Sequence, residues 1–452
     1  MLGEILKLFG TSGIRMKNLD PLIAYKVGFA ISKNFKKAVI GRDTRTTGNL
    51  IESAITAGLL NGGCDVTTIG MVPTPVLGYS AKDYDLGIMI TASHNPPEYN
   101  GIKLFNKNGT AFDPKQEKEL ENIINNDDFN ECTWDNIGCV VEDKTAVKKY
   151  FEYILQNLNL NTNFNVVVDC ANAAGCVVSP NIFTEAGCKV ISVNSHCDGR
   201  FVGRMPEPNE TNLKETVDII KGLNSNGRNY VGIAHDGDAD RMIAIDELGR
   251  VTDFDKLLAA FCKYLVQKTG ADKIVTTVDA SMAIEEYLNE FGAKVIRTKI
   301  GDVAVAEELE KTGAIFGGEP SGTWIHRDIH LTPDGILSGL RVLEMMEFYG
   351  KKLHEIIDEV PSYCNMREKI SCPDNLKQNV MDYVSKEGEK IFEKKPETLD
   401  GVRFSFENGW ILIRPSGTES YVRVRVEAKE KDFAEKLMKT GISMVKTGIS
   451  GK

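Results

Sequence analysis

The sequence predicts an α/β protein: three similar mixed α/β domains followed by a smaller α+β domain. Three observations predict it. A strand–helix–strand unit occurs three times, about a hundred residues apart, as an internal repeat does. Its strands begin at Ala38-Val39-Ile40, Val166-Val167-Val168-Asp169 and Ile274-Val275-Thr276-Thr277. Each copy steps from its helix into the next strand through Gly-x-x-Val: Gly63 to Val66, Gly187 to Val190, and Gly292 to Val295. Beyond Pro361 the pattern changes to a charged helical stretch (Gln378 to Lys395), three strands and a closing helix from Lys431 to Val445.

At 452 residues the chain exceeds one ordinary core, and four units is the expected division. The expected boundaries are 1–153, 154–250, 251–364 and 365–452. A β-branched strand that ends near an Asp, a helix, and a Gly that breaks it predict a mostly parallel sheet with right-handed crossovers in each of the first three. Hydrophobic content of 42% and charged content of 26% are those of a soluble globular protein. A net charge of −10 argues against a nucleic-acid binder. The ten cysteines contain no Cys-x-x-Cys pair, which favours a reducing cytoplasm over a disulfide framework or zinc site. No apolar run reaches membrane-spanning length.

Along the chain, Lys7-Leu8-Phe9 reads as a first strand running into Gly10-Thr11-Ser12-Gly13-Ile14-Arg15, where glycine amides and Arg15 suit an anion. Leu86 to Ile90 reads as a buried strand, and Pro96-Pro97 forbids helix or sheet just beyond it. Ser93 therefore lies on a rigid loop past a strand end, with His94 beside it and Lys103 on a second strand leaving the loop. A hydroxyl, an imidazole and an amine there suggest nucleophilic or phosphoryl chemistry. Alone, Ser-His-Asn before Pro-Pro is ordinary loop composition.

Asp236-Gly237-Asp238-Ala239-Asp240 follows the strand Tyr230 to Ala234. Extended backbone would put Asp236, Asp238 and Asp240 on one side. Charges about 4 Å apart repel by roughly 1 to 4 kcal/mol, so the triplet predicts a cation on oxygen ligands, magnesium or calcium. An EF-hand fails because its sixth position is Arg241 instead of Gly. Gly318-Glu319-Pro320-Ser321-Gly322-Thr323 follows a strand expected at Ala314-Ile315-Phe316, and exposes Glu319 and Ser321 to ligand hydroxyls. Arg414-Pro415-Ser416-Gly417-Thr418 follows the Trp410 to Ile413 strand as a phosphate cradle. Arg423 and Arg425, alternating with valines, read as the exposed side of a strand. Each loop follows a strand end, where α/β sheets bind ligands, so the four together predict one central cleft.

These four motifs in this order resemble the α-D-phosphohexomutase family from end to end. The resemblance implies four domains around a cleft, the last related to a TATA-box-binding-protein-like fold. It implies that Ser93 carries a phosphoryl group, that Asp236, Asp238 and Asp240 hold Mg²⁺ with the phosphoserine oxygen, and that Arg15 and Lys103 assist transfer with His94 alongside. It also implies that Glu319 and Ser321 read sugar hydroxyls, while Arg414, Ser416, Gly417 and Thr418 grip the non-reacting phosphate. The chain departs from many members in having Thr323 where they have His, with His326 three residues on. Thr298-Lys299-Ile300-Gly301-Asp302 and Gly-Glu-Pro-Ser-Gly-Thr are similar to the archaeal-type phosphoglucosamine mutase branch.

The implied activity is interconversion of glucosamine 6-phosphate and glucosamine 1-phosphate through phosphoserine and a bisphosphorylated hexose or hexosamine, which also serves as activator. A phosphomannomutase/phosphoglucomutase of the same family, a phosphatase with Asp236 as nucleophile, and a non-catalytic sugar-phosphate sensor are the alternatives. The expected partner is a small phosphosugar, with no nucleic acid and no membrane, and a monomer or homodimer. A mobile last domain suits a cleft that must grip either phosphate.

Overall fold

The computed structural model describes residues 7–10, 12–417 and 419–451. Among these, four sheets follow one another along the chain. The first has six strands, in the order Ile14–Lys17, Tyr99–Asn106, Leu86–Ile90, Lys37–Arg42, Asp65–Met71, Val140–Glu142. The second runs Met242–Ile245, Tyr230–His235, Asn165–Asp169, Lys189–Val193, and the third Lys294–Thr298, Lys273–Thr277, Phe316–Gly318, Trp324–His326. The repeated unit is parallel in all three: Lys37–Arg42 with Asp65–Met71, Asn165–Asp169 with Lys189–Val193, and Lys273–Thr277 with Lys294–Thr298. Gly63, Gly187 and Gly292 all adopt left-handed backbone, φ 74°, 92° and 67°. That conformation ends the helix and turns the chain into the next strand, which is why the repeat keeps glycine there.

Each of these sheets also carries antiparallel pairing at one edge: Ile14–Lys17 on Tyr99–Asn106, Met242–Ile245 on Tyr230–His235, and Trp324–His326 on Phe316–Gly318. The fourth sheet is wholly antiparallel, in the order Cys364–Ser371, Tyr421–Ala428, Gly409–Pro415, Val402–Phe406. Helices Lys377–Phe392 and Lys431–Ser450 pack against it over their own core of Val380, Val384, Phe404, Ile413, Val424 and Leu437.

Several expected elements sit elsewhere. Residues 7–9 form no strand: a turn closed by Gly10 N–H on the Gly13 carbonyl leaves only a bridge from Phe9 to Ile14. Arg15 consequently stands inside strand Ile14–Lys17, opposite Gly101. The strand expected at 314–316 is Phe316–Gly318. A Cβ on Gly317 would meet Val305 at 2.6 Å and one on Gly318 would meet Trp324 at 2.8 Å, so close packing, not β propensity, chose glycine here. Arg425 is buried, not exposed, because it pairs with Asp255 and Asp279 at 2.9 Å each.

One core spans the first three sheets. At its centre lies helix Gly335–Tyr349, buried without interruption from Gly335 to Met346, mostly apolar, with its buried Ser338, Arg341 and Glu344 each hydrogen-bonded. It packs on strands of both the second and third sheets. All ten cysteines are free thiols. Among the described residues no helix is long and apolar enough to cross a membrane.

Candidate active site

The strand Leu86–Ile90 is buried throughout and delivers Thr91-Ala92-Ser93 just past its C-terminal end. Ser93 has φ 48°, a left-handed conformation that a residue with a side chain adopts only when its surroundings enforce it. Its hydroxyl donates to Asp236 Oδ2 at 2.7 Å, and His94 Nδ1 lies 3.3 Å away. The serine and aspartate loops touch, since a Cβ on Gly237 would stand 2.2 Å from the Ser93 carbonyl oxygen. Burial, then the charges of Arg241 and Arg15, push the His94 pKa down to about 3. The imidazole is therefore neutral at ordinary pH.

The acidic loop is not extended. Residues 236–241 turn, with Ala239 at φ 56°, and the turn brings an oxygen of Asp236, Asp238 and Asp240 within 4.8 Å of one another. Convergence thus comes from a turn and not from strand alternation. Lys103 Nζ donates to Asp238 Oδ2 and Asp240 Oδ2 at 2.7 Å each, and Thr74 Oγ1 donates to Asp238 Oδ2 at 2.6 Å. Burial opposes ionisation of Asp238, but Lys103 and Thr74 outweigh it and hold that carboxyl below its usual range. Burial and the neighbouring carboxylates raise Asp236 and Asp240. Lys103 is desolvated too, yet the two aspartates more than compensate and hold its ammonium protonated.

This centre fits a metal ion. Asp238 Oδ1 and Asp240 Oδ1 are buried and have no hydrogen-bond partner among the described residues. A buried acceptor left unsatisfied costs about 1–3 kcal/mol, and more for a charge. An all-oxygen donor set suits a hard divalent cation.

Glu319 leaves strand Phe316–Gly318 into a turn in which its N–H donates to the Thr323 carbonyl and Gly322 takes φ 80°. The turn docks on the acidic loop through Met242 N–H on the Gly322 carbonyl and a bridge between Arg241 and Thr323. Ser321 Oγ lies 3.1 Å from Thr323 Oγ1 and 3.5 Å from Glu319 Oε2. Burial, then the charge of Asp302, pushes the Glu319 carboxyl up to about 8. His326 does not join this loop. It lies in strand Trp324–His326, with Ser338 Oγ at 2.9 Å from Nε2 and Arg341 Nη1 at 3.1 Å from Nδ1.

The residues expected at the reacting end therefore come together: Ser93, His94, Lys103, the three aspartates, and Arg15, which donates to Asn95 Oδ1 at 3.3 Å. The phosphate cradle forms a separate wall. Arg414 closes strand Gly409–Pro415 and donates to Asp400 Oδ1 at 2.9 Å, Lys377 holds the Ser416 carbonyl at 2.6 Å, and Gly417 faces open space. Thr418 lies outside the described residues. Arg414 opens on a cavity of about 450 Å³ that also meets Glu207, Asp279, Lys369 and Arg423. Across the sheet Arg414 faces Arg423, which faces Lys369. Like charges in such a row repel, and an anion relieves them. A larger hollow of about 640 Å³, beside Val266, Phe291 and Tyr349, holds none of these side chains.

Sequence reasoning passed over Thr74, Thr91, Arg241, Lys369 and the buried pair Asp43–Arg45. Thr91 and Arg241 stand inside the serine and acidic motifs, but the partners of all six are readable only with the fold. Arg45 carries a partial signal, since Gly41-Arg42-Asp43-Thr44-Arg45 stands at a strand end like the other loops.

Known proteins share this arrangement. The chain matches the phosphoglucomutase/phosphomannomutase family in all four of its parts: α/β/α domain I over residues 6–131, domain II over 148–249, domain III over 253–363 and the C-terminal domain over 370–440. It is 95% identical over 446 residues to a phosphoglucosamine mutase of Methanococcus maripaludis strain C5, covering 99% of this chain and 100% of the relative. It is 67% identical to that of Methanocaldococcus jannaschii, covering 98% and 99%. Among solved structures it resembles a phosphoglucomutase/phosphomannomutase family protein of Burkholderia thailandensis, with TM-score 0.86 and 25% identity over 98% and 97% of the two chains. It shares the fold of an Aspergillus fumigatus N-acetylphosphoglucosamine mutase solved with GlcNAc-6P and magnesium, at TM-score 0.59 and 15% identity over 98% and 96%. With every domain matched and its serine and acidic loops in contact, the chain belongs to the phosphoglucomutase/phosphomannomutase family, the α-D-phosphohexomutases.

Proposed function

We propose that this protein is a phosphosugar mutase acting on glucosamine phosphates, with Ser93 as its phosphoryl carrier. The observation that carries the reading is the 2.7 Å hydrogen bond from Ser93 Oγ to Asp236 Oδ2, in a centre that also holds Asp238, Asp240 and Lys103. The names of the relatives at 67–95% identity support the choice of glucosamine over glucose or mannose.

In the active enzyme Ser93 is phosphorylated. Its phosphoryl group passes to the free hydroxyl of the bound sugar phosphate, giving a bisphosphorylated sugar, and the other phosphate returns to Ser93 after the sugar turns over. Such transfers depend on positioning and charge neutralisation. A phosphoserine brings about −1.5 to −2 charges beside the substrate's own phosphate. Arg15 and Lys103 offset them, and Lys103, held protonated by Asp238 and Asp240, serves as a fixed cation instead of a base. Asp236, Asp238, Asp240 and an oxygen on Ser93 would hold Mg²⁺, which would supply further positive charge. Glu319 and Ser321 orient the sugar hydroxyls. Arg414, Ser416, Gly417 and Thr418 hold the phosphate that is not reacting.

The test is parallel turnover of glucosamine, glucose and mannose 6-phosphates, with mapping of the phosphorylated residue. Preference for glucosamine 6-phosphate and a phosphate on Ser93 that withstands hydroxylamine support the reading. A hydroxylamine-labile phosphate on Asp236, or full activity of Ser93→Ala, refutes it.

A further inference from the structure

Gly41-Arg42-Asp43-Thr44-Arg45 has no role in the chemistry above, yet its two buried charges lie directly behind Ser93. The Arg45 side chain is wholly buried. Its guanidinium donates to four carbonyl oxygens of the serine loop: Ser93 at 2.8 Å, Asn95 at 2.6 Å, Pro96 at 2.7 Å and Tyr99 at 2.7 Å. Nε donates to Asp43 Oδ2 at 3.0 Å. The same Asp43 oxygen accepts from Thr91 Oγ1 at 2.7 Å, and that hydroxyl oxygen accepts the Ser93 N–H at 2.9 Å. Both backbone polar groups of Ser93 therefore lead back to one carboxylate.

This is more than a loop of ordinary polarity requires. A left-handed serine costs of order 1–3 kcal/mol and persists only where its surroundings over-determine it. Here the over-determination is visible: four carbonyls turn inward to one cation, and the Ser93 side chain is left on the opposite side, toward Asp236. Only arginine offers enough donors in a fixed planar fork.

Arg45 also ties this loop to the acidic one. The Phe201 ring lies 5.1 Å from the guanidinium carbon, and Phe201 itself is at φ 53°. Gly199 packs so tightly that a Cβ on it would stand 2.2 Å from the Thr44 carbonyl oxygen. Three residues past Phe201, Arg204 donates to Asp169 Oδ2 at 2.9 Å and to the His235 carbonyl at 2.6 Å, one residue before Asp236. The path runs from the Ser93 carbonyl through Arg45 to the Phe201 ring, then three residues along the chain to Arg204 and from it to the start of the acidic loop.

We propose that Arg45, braced by Asp43 and Thr91, is a positioning residue that fixes Ser93 Oγ against the acidic triplet without touching substrate. This rests on Ser93 being the phosphoryl carrier. The test compares Thr91→Val and Arg45→Lys with Ser93→Ala, in kcat, KM, melting temperature and the ³¹P resonance of the phosphoserine. Thr91→Val keeps shape and removes only the link from Asp43 to the Ser93 N–H. It is expected to lower kcat at least tenfold, about 1.4 kcal/mol of barrier, and to shift the ³¹P resonance. KM should stay within twofold, because the Arg414 cradle is untouched, and the melting temperature should fall by only a few degrees, the cost of leaving the buried Ser93 N–H without its acceptor. Arg45→Lys should lose more kcat. Thr91→Val with kcat within twofold of wild type and an unmoved resonance overturns the proposal, and so does a kcat loss matched by the fraction of unfolded protein. If Ser93→Ala is inactive in that experiment, positioning alone has failed; if Ser93→Ala is active, the reading of the function has failed.

Discussion

Ser93 Oγ donates to Asp236 Oδ2 across 2.7 Å although 143 residues separate the two. Under the proposed function this hydroxyl is the one that carries the phosphoryl group. The purified protein should therefore carry one phosphate, on Ser93, and Ser93→Ala should have no mutase activity at normal melting temperature. Intact-protein mass and peptide mapping check the first expectation, and a coupled assay checks the second.

Asp238 Oδ1 and Asp240 Oδ1 are buried without a hydrogen-bond partner among the described residues. Adding Mg²⁺ to chelator-treated protein should raise its melting temperature, since a ligand that binds only the folded state at 100 times its Kd stabilises by about 2.7 kcal/mol. Asp238→Asn with Asp240→Asn should abolish that rise. Calorimetry in chelator and in Mg²⁺ measures both. Equal transitions in the wild type would contradict the metal assignment.

Lys103 lies 2.7 Å from both Asp238 and Asp240 and is 3% exposed. Removing one partner of a buried ion pair typically costs about 3–5 kcal/mol, because the other charge is left uncompensated. Lys103→Met should lose stability on that scale in chelator and regain part of it in Mg²⁺, with activity lost in both. Urea unfolding of the two states provides the comparison.

Burial, then Asp302, raises the Glu319 carboxyl from 4.5 to about 8, with Asp279 and Asp240 adding to the rise and Arg241 opposing it. A carboxyl raised in the folded state contributes stability that is complete below its unfolded pKa and is lost as pH climbs through its folded one. Wild type should thus lose stability relative to Glu319→Gln between about pH 4.5 and pH 8, and the gap should then stay constant. KM for the anionic substrate should rise above about pH 8, where Glu319 ionises. A gap that widens in the opposite direction would refute the neutral Glu319.

Arg425 reaches from the last sheet to Asp255 and Asp279, while Met282 N–H donates to Glu427 Oε2 at 2.8 Å. We propose that the last domain moves about this junction as the sugar turns over. Arg425→Met should raise KM severalfold and enlarge the radius of gyration in small-angle scattering before substrate is added. Unchanged scattering in the variant, and in wild type with and without substrate, would count against the motion.

How much of this was legible in the sequence depended on the range of the interaction. The repeat was legible because backbone rules wrote it: Gly63, Gly187 and Gly292 stand where a helix must end in left-handed backbone. The acidic triplet, the serine and Lys103 were legible because their residue types declare a chemistry. Packing was not. Gly317 and Gly318 form a strand because Val305 and Trp324 leave no room for a side chain, and propensity alone argues the reverse. Cys364–Ser371 went unread because it is a charged edge strand with little apolar signal. Arg425 looked exposed by alternation, since its partners Asp255 and Asp279 are 170 and 146 residues away along the chain. The role of Arg45 was equally unreadable, because nothing in five residues says that four distant carbonyls will turn toward it.

The acidic loop is held from three sides. Thr74 N–H donates to the Asp238 carbonyl, Gly335 N–H to the Ala239 carbonyl, and Met242 N–H to the Gly322 carbonyl. Those partners come from the first and third units while the loop itself belongs to the second, so no single repeat can make the loop by itself. A repeat unit copied in isolation would have inherited a scaffold without a reaction. Recovery of turnover from separately expressed halves, cut in the exposed stretch around residues 159–163, would then report docking itself, and the catalytic signal would appear only as fast as the halves find each other.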